Sequence, residues 1–424
     1  MMSRAYQGKK RHQPKGANRG KNQPKGKAPV RKQHKKAAPG KQEPEVAVKR
    51  RVLNPLWEGL IIMLISFVAY ANTIGHGFVL DDMMMITHNE FTKAGWDGIG
   101  DIMTNDAMTG FHGENKNLLP GGRYRPLSQV MFAIEYEIFG EKPMPGHIIN
   151  ILLYLVTCFM LYKTLIRVFK RFDYSLPPFS LAFVVTALFA LHPLHTEVVA
   201  NIKGRDEILS LLGLVLLMWL ALRYADTRQG RFLWIMAPVY TLAVLSKENA
   251  ATSILAVPLV LLFTGGVTKK AYIRTFVAMA VGFGGYLIFR FNALPPGSTT
   301  GRVMAELLND PWIEAEGSER FATVLFTWGK YLALILLPIN LTHDYYPWQI
   351  EYHSLGDPVV LLMLVLFFGF GIYALTRLRR LSFLTFGFLF FAVLFSIQSN
   401  LFINIGAFMN ERFVFAAMLG FMVI

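Results

Sequence analysis

Apolar runs of roughly 20 residues recur along the chain, each long enough to cross ~30 Å of hydrocarbon. They fall near residues 56–74, 147–167, 179–198, 208–225, 232–246, 249–263, 272–290, 358–376 and 381–399, and a last run starts near 413. This pattern predicts an all-α, polytopic helical membrane protein with about ten membrane helices. A further run, 321–340, has sufficient length but carries Lys330 in its middle. Read as a re-entrant or interfacial helix, it leaves two large loops, 71–146 and 291–357, on the same side of the membrane. The last run, Ala416–Ile424, stops without a polar flank, so we expect a fragment of a longer protein, and no 34-residue-type repeat is visible.

Composition agrees with this reading. Of 424 residues, 53% are hydrophobic and 17% charged, too few charges for the surface of a soluble protein this long. The formal charge of +15 points to nucleic acid or an anionic surface until it is located. Residues 1–51 hold 17 Lys/Arg against Glu43 and Glu45, which accounts for the whole excess and leaves residues 52–424 neutral. The tail is rich in Gly, Pro, Lys and Gln, so we expect a disordered cytoplasmic segment that orients the protein, with no specific nucleic-acid partner. Successive crossings then return Arg167/Lys170/Arg171, Arg223/Arg228/Arg231 and Lys269/Lys270/Arg274 to the cytoplasmic side. The first run follows too long a tail for a cleaved signal peptide and reads as a retained anchor. The single cysteine, Cys158, cannot form an intrachain disulfide.

The threading places most unusual polar residues at the outer ends of the helices. Asp81 and Asp82 follow the first run in Gly77-Phe78-Val79-Leu80-Asp81-Asp82. Adjacent carboxylates at an apolar boundary suit a general base with an orienting partner, and suit a helix cap equally well. His192, His195 and Glu197 lie in His192-Pro193-Leu194-His195-Thr196-Glu197, ahead of Lys203, Arg205, Asp206 and Glu207. Their spacing matches no strong zinc signature, so no metal ligands are assigned. Lys203 and Arg205 can meet phosphate, or can snorkel to ordinary headgroups. Lys247 and Glu248 break two apolar runs, and Arg123, Arg125, His147 and Asn150 add polar groups near the second span. Asp344 and Tyr345 open an aromatic group, Asp344-Tyr345-Tyr346-Pro347-Trp348, that fits either an interfacial belt or a sugar-stacking surface. Asn340-Leu341-Thr342 is a formal glycosylation sequon, and Asn410-Glu411-Arg412 opens the last run. A transporter would concentrate ionisable groups at midplane, whereas these are peripheral, which favours an enzyme acting on a lipid-borne substrate.

The stretches FVLDD (78–82) with Asn89, YRPLS (124–128), HIIN (147–150), HPLHTEVVANIKGRDE (192–207), LSKE (245–248), LPINLTHDYY (337–346) and NERF (410–413) occur in this order. Over residues 60–424 the chain resembles the transmembrane and tetratricopeptide-repeat O-mannosyltransferase-like family of the GT-C glycosyltransferases. The resemblance implies a GT-C-type fold and catalytic domain over 52–424. It also implies sugar transfer, with mannose expected, from a polyprenyl-phosphate donor to an extracytoplasmic acceptor, with inversion. Asp81 or Asp82 would then be the base, with Asp81 placed ahead. Arg205, Lys203, Lys247 and Arg125 would bind the departing phosphate, while His195 and Glu197 would orient the acceptor. His192, Glu248, Asp344 and Tyr345 complete the expected substrate-binding set. Family members differ in metal use, so a divalent metal stays open as a cofactor.

The acceptor expected is protein Ser/Thr. A glycolipid or polysaccharide acceptor is the second enzyme reading, and a lipid-carrier flippase or transporter the non-enzymatic one. The expected location is a bacterial inner membrane with a periplasmic site, or the topologically equivalent endoplasmic-reticulum membrane with a lumenal site.

Overall fold

The computed structural model describes residues 53–113, 122–170, 172, 175–295, 310–345, 349–378 and 382–424. The expected disordered tail at 1–51 lies outside them, as do Arg171, Tyr346, Pro347, Trp348, Arg379 and Arg380.

Several helices start where the sequence supplies a capping side chain. Asn54 accepts from the Leu56 amide ahead of Pro55, and the helix Pro55–Tyr70 follows. Asp357 accepts from the Val359 amide and opens Pro358–Thr376, while Ser382 opens Phe383–Phe395. Such side chains satisfy amides that lack a helical carbonyl. Ser180 caps Leu181–Ala190, and its hydroxyl and amide both donate to the buried Glu58 carboxylate, joining the first and third apolar helices. The only strand pair among the described residues, Ser175–Leu176 with Phe179–Ser180, is a short antiparallel turn just before it.

The protein is an all-α polytopic membrane protein. Among the described residues, five helices are long and apolar enough to cross a membrane: Pro55–Gly75, Pro143–Phe169, Ile202–Thr227, Lys269–Ala293 and Pro358–Thr376. Leu181–Ala190 and Pro193–Ala200 form a sixth only as a broken span bent by 55°. Proline at 193 cannot donate to the preceding turn, so the expected 179–198 helix breaks beside His192. The runs expected at 232–246, 249–263 and 381–399 are shorter apolar helices. Extended backbone at Lys247 separates the first two, and each carries an internal proline, Pro238 or Pro258. Gly317–Leu336 is not among the spanning helices and holds Lys330 along its length.

Burial ranks the helices from centre to rim. The apolar stretch of Ile202–Thr227 is 67% buried and that of Pro143–Phe169 56%, against 22% for Lys269–Ala293 and 17% for Pro358–Thr376. The last two therefore turn most of their surface outward, as lipid-facing helices do. The central helix Arg205–Thr227 packs against Arg231–Ser246, and Gly213 sets their separation: a Cβ there would stand 2.4 Å from the Ala243 Cβ. Small residues permit this approach where no aqueous hydrophobic effect drives helices together.

The segment expected as the first large loop is folded. It contains Glu90–Lys93, Ile99–Thr104, Thr109–His112 and Pro126–Phe139 around a small core of Met85, Ile86, Ala107, Met108, Phe132 and Ile202. Asn89 sits at its centre, accepting from the Thr92 amide at 3.2 Å and from Gln129 Nε2 at 3.1 Å. This small domain fixes the position of Asp81 and Asp82.

Candidate active site

The two neighbouring aspartates have different environments. The chain leaves the first helix, turns at Leu80 with φ +48°, and enters a single π-helical turn at Met83. Asp82 faces inward and is fully buried; its Oδ2 accepts from the Val79 amide at 3.0 Å and its Oδ1 from the Lys203 amide at 2.7 Å. It thereby clamps the turn onto the start of Arg205–Thr227. Asp81 turns the other way, with 29% of its side chain exposed, and its Oδ2 lies 3.5 Å from Lys203 Nζ and 3.8 Å from Arg412 Nη2.

Burial pushes the Asp82 carboxyl up to about 6, against the opposing pull of the Val79 and Lys203 amides. Burial acts on Asp81 in the same direction, but Lys203, Arg412 and Arg123 outweigh it and hold Asp81 below the ordinary carboxylate range. Asp81 is thus the ionised, reachable carboxylate, and Asp82 the anchored one. Because folding raises the Asp82 value, its proton stabilises the fold below about pH 6 and is lost as pH rises through that value. The stability gap between wild type and Asp82→Asn should therefore widen on going from pH 8 to pH 5, by about 1.4 kcal/mol. Thermal unfolding in detergent at each pH measures it, and a gap independent of pH removes the assignment.

A chain of alternating charges extends from this point. Asp206 Oδ2 lies 3.2 Å from Arg125 Nη1, 3.4 Å from Lys203 Nζ and 3.5 Å from Lys247 Nζ. Arg125 Nε also bonds Glu248 Oε2 at 2.7 Å, and the Tyr124 amide donates to Glu248 Oε1. Lys247 pairs with Glu207, which further accepts from Asn249 Nδ2 and Gln398 Nε2. Arg412 pairs with Glu197 through its Nη1 and, at 3.0 Å, through its own amide. Buried charges persist when partnered in this way, because removing a partner exposes the full desolvation cost of the other.

Several expected site residues lie elsewhere. Arg205 is fully buried: Nε donates to Asn150 Oδ1 at 2.9 Å, Nη1 and Nη2 to Glu135, and Nη2 to the Gly146 carbonyl, with the guanidinium stacked on Phe132. Its donors are committed to protein acceptors, so it pins the first turn of the central helix. His195 is also fully buried, bonded to Tyr154 and set among Phe189 and Phe415. His192 accepts from the Leu194 amide and reaches the Ile335 carbonyl, and His147 reaches the Gly77 carbonyl. Tyr345 donates to Glu411, and Asp344 accepts from the Tyr345 amide. Among the described residues no group of three or more His, Cys, Asp or Glu side chains converges to hold a metal ion.

Arg412, Asp206 and Glu207 belong to the cluster although no role was assigned to them from sequence. The signal available was their place within the NERF and GRDE stretches.

The Dolichyl-phosphate-mannose-protein mannosyltransferase family matches residues 124–290, which hold Arg125, Glu197, Lys203, Asp206, Glu207, Lys247 and Glu248. The chain is 25% identical over 368 residues to Protein O-mannosyl-transferase F38B6.6 of Caenorhabditis elegans, covering 85% of this chain and 50% of the relative. Over these residues the chain is similar to a protein named a protein O-mannosyl-transferase. It is also 32% identical over 212 residues to human TMTC1, covering 47% of this chain and 23% of that protein. With mouse TMTC4 it shares 28% over 219 residues, covering 47% and 29%. The chain thus spans about half the length of the nematode relative and less of the other two. No solved structure matches it. Asp81, Asp82 and Arg412 lie outside the matched residues 124–290, so their place in the site rests on geometry.

Proposed function

We propose that the chain is a GT-C-type membrane glycosyltransferase that transfers mannose from a polyprenyl-phosphate carrier to a protein Ser or Thr hydroxyl on the extracytoplasmic side. The observation that carries this is the partly exposed Asp81 carboxylate, held just beyond the first membrane helix beside Lys203 and Arg412. The relatives, named as protein O-mannosyl-transferases, support the choice of sugar and acceptor.

The chemistry follows from this placement. Asp81 takes the proton of the acceptor hydroxyl as its oxygen bonds to the anomeric carbon from the face opposite the phosphate. The bond from that carbon to the phosphate oxygen breaks, and polyprenyl phosphate leaves with the electron pair. The anomeric configuration inverts. Negative charge grows on the leaving phosphate in the transition state, where preorganised cations stabilise it most. We assign that role to Lys203 and Arg412, with Arg125 and Lys247 paired to Asp206 and Glu207 behind them. Glu197 fixes Arg412, and Asp82 fixes the turn that presents Asp81.

The test is transfer from polyprenyl-phosphate-mannose to Ser/Thr peptides by the purified chain in detergent, read by mass spectrometry of the peptide. Mannosylated peptide is the expected product. Sugar appearing on glycolipid or polysaccharide acceptors alone would move the acceptor assignment to the second enzyme reading. Donor movement across vesicles without bond cleavage would replace the enzyme with a flippase.

A further inference from the structure

The cations of the cluster are not all equally committed. Arg125 is closed onto Glu248 at 2.7 Å and onto Asp206 at 3.2 Å. Among the described residues, Lys203 Nζ approaches no carboxylate more closely than the 3.4 Å to Asp206 and 3.5 Å to Asp81. Arg412 has one arm and its amide on Glu197, while its second arm, Nη2, stops 3.8 Å from Asp81. Contacts of this length are electrostatic, longer than the hydrogen bonds the same groups can make. Lys203 and Arg412 therefore retain unspent donors toward Asp81, and both stay partly exposed, at 13% for Lys203 and 23% for Arg412.

We propose that the phosphate of the lipid-linked donor draws Arg412 Nη2 and Lys203 Nζ away from Asp81, so that the base is freed only in the donor-loaded protein. This rests on the reading of Asp81 as base and polyprenyl-phosphate sugar as donor. Phosphate oxygens form short, charge-assisted bonds with guanidinium and ammonium groups, so the exchange replaces loose contacts with close ones. Glu197 keeps Arg412 anchored meanwhile, and only its free arm has to turn. Asp81 then loses two opposite charges and gains a like one nearby, and both changes strengthen its hold on a proton.

The charged groups facing Asp81 come from four places. Lys203 and Asp206 lie at the start of the central helix, Arg412 in the final segment, Arg123 ahead of Pro126–Phe139, and Asp82 next along the chain. Asp206 and Asp82 are held by hydrogen bonds of their own, to the Glu207 amide and to the Val79 and Lys203 amides. The consequence is an order of events: the acceptor hydroxyl is deprotonated well only after the donor is seated.

The experiment uses the full chain in detergent with polyprenyl phosphate lacking sugar, so no turnover occurs. Protonation of Asp81 is followed by difference infrared spectroscopy of the carboxylic C=O band, assigned by its loss in Asp81→Asn. Binding is measured on the same sample by thermal shift. Saturation with polyprenyl phosphate should raise the Asp81 midpoint by about one pH unit. In Arg412→Gln and in Lys203→Gln the unliganded midpoint should already lie higher, and the lipid should move it less. Polyprenyl phosphate that binds without moving the midpoint overturns the gate and leaves the donor reading standing. No binding at all overturns the donor reading and the proposal with it. An equal shift from inorganic phosphate at the same concentration overturns the assignment of the site to the lipid donor.

Discussion

Asp81→Asn is expected to lower the rate of mannosyl transfer by about a hundredfold to ten-thousandfold, the range that loss of a positioned general base produces. The amide matches the carboxylate in shape but cannot take the acceptor proton. It also leaves Lys203 and Arg412 in place, since neither makes a close hydrogen bond to Asp81. Folding should therefore be little affected, because the side chain is partly exposed and holds no backbone amide. Initial rates with polyprenyl-phosphate-mannose, normalised to folded protein by thermal unfolding, make the measurement. A variant that keeps wild-type activity would remove Asp81 as the base. Asp82→Asn differs in kind, because an amide nitrogen would face either the Val79 or the Lys203 N–H and break one arm of the clamp.

Arg205→Met should be the most damaging substitution for the fold. It strands Glu135 without its cation, leaves Asn150 Oδ1 without that donor, and empties the space over Phe132. Breaking a buried ion pair by removing one member costs about 3–5 kcal/mol, a large part of the stability of an ordinary domain. Poor yield and a markedly lower unfolding temperature in detergent are expected. Arg205→Lys should recover little, because an ammonium cannot reproduce the fork that reaches Glu135, Asn150 and Gly146 together. The double variant Arg205→Met/Glu135→Leu should recover more than Arg205→Lys, since it removes the stranded charge. A single variant as stable as wild type would show that the pair is dispensable. This result also separates Arg205 from the phosphate site, because its effect should appear in stability first.

The positions of the apolar helices were largely legible in the sequence. Span length and hydrocarbon thickness are tied by the rise of the helix, so a run such as 358–376 announces itself without neighbours. The break at Lys247 was visible as a polar interruption between two runs, but the one at His192-Pro193 fell inside a run expected to be continuous over 179–198, and its 55° bend was not visible either. Proline removes a local hydrogen bond, and the packing around the break sets the resulting angle. The folded segment between the first two spans was missed because three of its four α-helices are only four to six residues long, and its core draws Ile202 from a distant part of the chain.

The site divides in the same way. Residue types alone marked Asp81, Asp82, Glu197, Lys203, Lys247 and Glu248 as unusual at an apolar boundary, because charge there requires a partner. They did not say which partner. Arg125 meets Asp206 across 81 positions and Arg412 meets Glu197 across 215, and no local rule connects residues so far apart. The same limit misplaced Arg205, whose motif suggests phosphate while its three-dimensional neighbours consume every arm of the guanidinium. By itself the sequence determined a multi-helix membrane protein with a paired carboxylate after its first span. Only the tertiary structure decided that Asp82 is spent on two amides and Asp81 remains available. Side chains one residue apart on a turn face different surroundings, and those surroundings come from the rest of the fold.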